Sequence, residues 1–84
     1  MAEATRASIQ SMIEFVATSL VGDTKAIKVE QTTREDYIVM ELMVNPEDLG
    51  KVIGKNGQTA RAIRTLVNAA ASRAGEKIIF EIKE

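Results

Sequence analysis

The sequence predicts a two-layer α+β domain: three helices on one face of a three-stranded sheet, in the order helix-strand-strand-helix-helix-strand. Three observations predict it. Apolar residues recur at spacings of three and four over residues 4–21 and 58–73, the period of a helix buried on one side. They alternate over 25–32, 37–44 and 77–83, the period of a strand. A glycine pair, Gly54 and Gly57, interrupts the helical pattern between the second and third helices.

The first helix is carried by Ile9, Met12, Ile13, Val16 and Leu20, which share one face. Gly22-Asp23 ends it, with Gly22 suited to a left-handed cap. In the first strand, Ile27 and Val29 point one way and Lys28 and Glu30 the other. Thr33-Arg34-Glu35-Asp36 is a polar connection. In the second strand Ile38, Met40, Leu42 and Val44 face one way, and the other face is also rather apolar, as suits a central strand or a partner surface. Asn45-Pro46-Glu47-Asp48 opens the next helix: Asn45 can cap, Pro46 fits the first helical position, and the acids favour the positive helix end. Leu49, Val52 and Ile53 form its stripe before it stops near Gly54. The third helix begins near Gly57 or Gln58 and runs to about Arg73. Ala60, Ile63, Val67, Ala70 and Ala74 lie on its buried face, with Leu66 and Ala71 beside them. Ala74-Gly75 ends it, and Ile78, Phe80 and Ile82 of the last strand face the core.

A chain of 84 residues is one domain, residues 1–84, without a linker, repeat or low-complexity segment. At 45% hydrophobic residues it is an ordinary globular composition. No cysteine means no disulfide scaffold, and no apolar run approaches the roughly 20 residues of a membrane helix. The start, Met1-Ala2-Glu3-Ala4-Thr5-Arg6, lacks the basic and apolar stretches of a signal peptide, so a cytoplasmic protein is expected. Without histidine or cysteine, the common metal ligands and most nucleophilic or acid–base arrangements are missing; no cofactor, metal or enzymatic activity is expected. Net charge is −1, yet the distribution is uneven. Lys51 to Gly75 holds five basic residues (Lys51, Lys55, Arg61, Arg64, Arg73) and no acid, whereas all 12 acidic residues lie outside it. That is a positive site on an acidic body.

Lys51-Val52-Ile53-Gly54-Lys55-Asn56-Gly57-Gln58 and the following Ala60, Arg61 and Arg64 carry the chemistry. A bare G-x-x-G is common by chance, but here it joins two helices by a turn too tight for most side chains. Glycine permits positive φ and the close approach of another backbone. The third helix points its free N–H groups and positive end at the turn. Lys55 adds a mobile cation, and Asn56 a neutral donor that tolerates a left-handed conformation. Together these describe a cradle for phosphate oxygens. Val52, Ile53, Ala60 and Ile63 offer an apolar wall for bases, and Arg61 and Arg64 lie on adjacent turns beside it. Each feature has a plainer reading: glycines that only turn the chain, apolar residues that belong to the core, arginines on a solvated face.

Val52-Ile53-Gly54-Lys55-Asn56-Gly57 between two helices resembles the I-G-x-x-G signature of KH domains, whose GXXG loop clamps four nucleotides of a single strand. The element order resembles the type II KH arrangement over nearly the whole chain. Residues 45–55 and 60–67 look like those of small stand-alone bacterial KhpA-type proteins. The resemblance implies a cytoplasmic protein binding single-stranded RNA, a homodimer or a heterodimer with a KhpB-like protein, and a regulatory or RNA-chaperone role tied in some bacteria to cell-wall growth and cell length. No aromatic residue falls near the loop, which argues against the stacking platforms of other RNA-binding folds. The residues do not separate RNA from single-stranded DNA. The competing reading is a protein-interaction module with the same fold and little RNA binding of its own, using the Ala-rich helix 58–73 or the two-sided strand 37–44.

Overall fold

The computed structural model describes residues 2–83, and side chains from residue 3. Six main elements follow in the expected order: α1 (Ala2–Leu20), β1 (Lys28–Thr33), β2 (Ile38–Met43), α2 (Leu49–Ile53), α3 (Gln58–Arg73) and β3 (Ile78–Ile82). Single 3-10 turns at Thr24–Ala26, Pro46–Asp48 and Lys55–Gly57 join them. β2 is the central strand. It pairs antiparallel with β1 and parallel with β3, in the order β1-β2-β3. A parallel neighbour needs a crossover, and the α2–α3 pair supplies it.

The core sits between sheet and helices. Ile9, Ile13 and Ala17 of α1 meet Ile38, Met40 and Leu42 of β2, Val52 of α2, Ile63, Val67 and Ala71 of α3, and Ile78 and Phe80 of β3. Ile27 and Val29 pack against its margin, so the predicted facing of the first strand holds. Its start does not. Asp23 accepts a hydrogen bond from the Lys25 amide at 3.2 Å, which curls residues 24–26 into a turn and delays β1 to Lys28. Aspartate does this readily because its short side chain reaches the backbone two residues on.

Three further expectations are corrected. Gly22 is not left-handed; among the described glycines positive φ belongs to Gly54, Gly57 and Gly75. α1 instead ends with the Val21 amide bonded back to Ala17. On α3 the buried stripe is Ala60, Ile63, Val67 and Ala71, while Leu66, Ala70 and Ala74 are exposed. At about 100° per residue, Leu66 lies about 60° outside this stripe, and Ala70 lies at its edge with a side chain too short to reach the sheet. Leu20 is also exposed, beyond the edge of the packed layer.

The sheet face away from the helices is open. Register brings Glu30, Glu41 and Glu81 into one row across all three strands, next to a row of Thr32, Val39 and Ile79. Three like charges on directly opposed positions cost stability.

Candidate nucleic-acid interface

The candidate site is the short segment from Asp48 to Arg64, and its rigidity begins at its root. Asn45 accepts from the Glu47 amide at 3.1 Å, and Pro46 opens the 3-10 turn. Asp48, the one buried charged residue among those described, is enclosed at 5% exposure. Its Oδ2 accepts from the Asp23 amide at 3.1 Å and its Oδ1 from Lys51 Nζ at 3.1 Å. Backbone N–H groups of Asp23 and Gly22, then the Lys51 ammonium, hold its carboxyl below the usual aspartate range. Asp48 thus ties the α1–β1 connection to the base of α2. Val52, fully buried, fixes the helix one turn later.

At the end of α2 the Gly54 amide bonds to the Gly50 carbonyl at 2.9 Å. Gly54 then takes φ 79 and ψ 172, a conformation essentially closed to other residues. A side chain there would also strike α3: its Cβ would lie 2.8 Å from Thr59 Cβ and 2.9 Å from Thr59 N. Asn56 is left-handed at φ 55, ψ 25, and Gly57 at φ 76, ψ 12. The Gly57 amide closes the turn on the Gly54 carbonyl at 3.1 Å. Glycine stands at the N-cap of this turn and of α3, so neither has a side-chain cap, and the Gln58 amide donates to the Lys55 carbonyl.

Lys55 and Asn56 are exposed at the tip, with Gly57 half-buried behind them and Gln58 exposed on the first turn of α3. Among the described residues there are two ion pairs, Arg6–Glu76 and Lys51–Asp48, so Lys55, Arg61 and Arg64 face solvent without a carboxylate partner. Lys51 keeps a side chain 56% exposed while bound to Asp48. Arg61 Nη2 donates to the Asn56 carbonyl at 2.8 Å. The structure therefore sets Gly54, Lys55, Asn56, Gly57, Gln58 and Arg61 at the turn between α2 and α3, whereas the Lys51 ammonium is directed to Asp48 at the root of α2 and Arg64 stands about two turns along α3.

The apolar wall is smaller than the sequence suggested. Val52 and Ile63 belong to the core at 0% and 2% exposure, and Ala60 is buried at 8%. Only Ile53 is partly open beside the loop. Two contributors escape a reading of the sequence. Thr59 fills the space that makes Gly54 obligatory, and Asp48 is a structural anchor rather than a solvated helix-start acid. Neither carries a signal, because each acts through a contact with a residue of another local segment. A depression of about 380 Å³ beside α1, lined by Glu3, Arg6, Gln10, Glu14 and Gln31 among others, lies away from this cluster. No group of three or more candidate metal ligands occurs among the described residues, nor does any helix long and apolar enough to cross a membrane.

Comparison with known proteins gives one consistent result. Residues 10–82 match the family model described as KhpA/KhpB, KH domain. A protein of Clostridium perfringens named RNA-binding protein KhpA is 45% identical over 74 residues, covering 88% of this chain and 99% of its own. Proteins of the same name from Aquifex aeolicus and Bacillus subtilis are 38% and 40% identical. Their alignments cover 92% and 88% of this chain, and 98% and 91% of theirs. No solved structure matches.

Proposed function

The chain belongs to the KhpA/KhpB KH-domain family, and we propose on that premise that it is an RNA-binding protein whose residues 1–84 act as one KH domain. It holds a short single strand against Gly54-Lys55-Asn56-Gly57. The observation that carries this reading is the carboxylate-free turn at the start of α3, whose left-handed Asn56 and Gly57 leave Lys55 and Asn56 exposed at its tip. Lys55 and Asn56 contact phosphates at the tip, Gln58 reaches the same strand, and Ile53 meets a base. Val52 and Ala60 act from beneath, by holding α2 and α3 at the spacing the strand needs. Lys51, Arg61 and Arg64 supply positive potential.

The protein acts in the cytoplasm as a regulator or RNA chaperone, not as an enzyme, and pairs with a second copy or with a KhpB-like protein. Leu66, 52% exposed on the outer side of α3 beside Ala62 and Ala70, supports pairing because a large apolar side chain is there without cover. The link to cell-wall growth and cell length rests on family resemblance alone.

Fluorescence anisotropy with a short single-stranded RNA tests the central reading. The native chain should bind, while a folded Lys55→Asp/Asn56→Asp variant should lose at least tenfold in affinity. Equal binding by the two proteins, or none up to high micromolar concentration, overturns it.

A further inference from the structure

Charge and sequence position place Arg61 with the cations that meet RNA. Its geometry assigns something more specific. The guanidinium folds back along α3, and Nη2 donates to the carbonyl oxygen of Asn56, five residues earlier, at 2.8 Å. That carbonyl belongs to the peptide joining two successive left-handed residues, Asn56 and Gly57. Asn56 is also the one non-glycine residue with positive φ among those described. The N–H of this peptide, that of Gly57, donates to the Gly54 carbonyl at 3.1 Å, and the Arg61 guanidinium holds its carbonyl end. Turned outward, its carbonyl dipole would place partial negative charge where a phosphate must sit.

We infer that Arg61 is a positioning residue: it holds the Asn56 carbonyl toward α3 and so keeps the tip of the loop shaped for an anion. This inference rests on the RNA-binding reading above and gives Arg61 a role within it. Thr59 acts on the other end of the same loop, against Gly54. The first two turns of α3 therefore fix both ends of the four-residue turn, one by contact and one by a hydrogen bond. Removing the carbonyl's partner loosens the loop before any RNA arrives. A phosphate-contacting arginine would instead leave the free loop unchanged.

Two readouts on Arg61→Met separate the roles, with Arg61→Gln as a second variant and thermal melting as the check on folding. The first is the amide NMR spectrum without RNA. The variant should shift the Asn56, Gly57 and Gln58 amides and speed their hydrogen exchange. The second is the salt dependence of binding to single-stranded RNA. Affinity should fall about three- to tenfold while the slope of log K against log salt stays within about 0.3 of the native value, because no phosphate contact is lost. A slope shallower by about 0.7 with unmoved loop amides would make Arg61 a phosphate contact and overturn the inference. Native affinity in a folded variant would overturn it as well. If the native chain itself binds no RNA, the family-based reading fails, and the RNA-free spectrum still decides whether Arg61 holds the loop.

Discussion

Gly54→Ala should be the most damaging single-methyl change in the loop. Two penalties combine there. At φ 79 and ψ 172 the backbone is in a region almost restricted to glycine, which costs about 1–3 kcal/mol. The added Cβ would lie 2.8 Å from Thr59 Cβ and 2.9 Å from Thr59 N, and the second of these is backbone that cannot swing aside. Displacing the first turn of α3 resembles overpacking a core, again about 1–3 kcal/mol. The sum, roughly 2–6 kcal/mol, compares with a total stability of about 4–13 kcal/mol for a domain this size. At about 4–8 °C per kcal/mol, the melting temperature should fall by at least 8 °C or so. Gly57→Ala is the internal control. It is left-handed too, but the nearest atom to its Cβ is Arg61 Nη2 at 3.6 Å, so only the conformational cost of about 1–2 kcal/mol applies. Thr59→Ala in the Gly54→Ala background should recover only part of the loss, since the backbone contact and the φ remain. Thermal melting followed by circular dichroism measures all four proteins. A Gly54→Ala melting temperature within 2–3 °C of native, or Gly57→Ala as harmful as Gly54→Ala, would refute the steric reasoning.

Three other outcomes follow from the same geometry. Asp48 has a depressed pKa in the folded chain, so its contribution to stability is complete above its unfolded value of about 4 and is lost as pH falls through the lower folded value. Asp48→Asn should therefore melt lower at pH 7 and lose less stability than native between pH 5 and pH 2; parallel pH profiles would contradict the anchor role. Glu41 stands between Glu30 and Glu81 in the sheet row, so Glu41→Lys should stabilise by about 0.5–1 kcal/mol, raising the melting temperature by roughly 2–8 °C. That gain should shrink in 1 M salt, and a fall in melting temperature at low salt would count against it. If the loop neutralises about three phosphates, log K for single-stranded RNA should fall against log salt with a slope near −2, and a slope near zero would point to binding without phosphate contacts.

Most of the fold was legible because its periods are clean. Ile9 and Ile13 on α1, Ile38, Met40 and Leu42 on β2, and Ile78 and Phe80 on β3 each announce their face, and all are buried. Failures occurred where a side chain overrides local pattern. Asp23 converts the expected start of β1 into a turn, and the Ala-rich α3 offers several small residues among which periodicity does not choose. The row of Glu30, Glu41 and Glu81 was invisible because it depends on strand register, which alternation within one strand does not set. For the site, Gly54, Lys55, Asn56 and Gly57 were readable as a loop between helices. The division of the neighbouring apolar residues was not. Val52 and Ile53 are adjacent in sequence and look equivalent, yet the helix turns one into the core and leaves the other beside the loop. Arg61 and Arg64 looked alike for the same reason, and only the fold shows that Arg61 reaches the Asn56 carbonyl.

The most direct measurement is an amide NMR titration of the native protein with a short single-stranded RNA at moderate salt. Binding at the α2–α3 turn predicts saturable shifts centred on Gly54 to Arg61, extending to Lys51 and Arg64 and sparing the Glu30–Glu41–Glu81 face of the sheet. Shifts centred on that open sheet face or on α1, or no shifts at millimolar RNA, would contradict it.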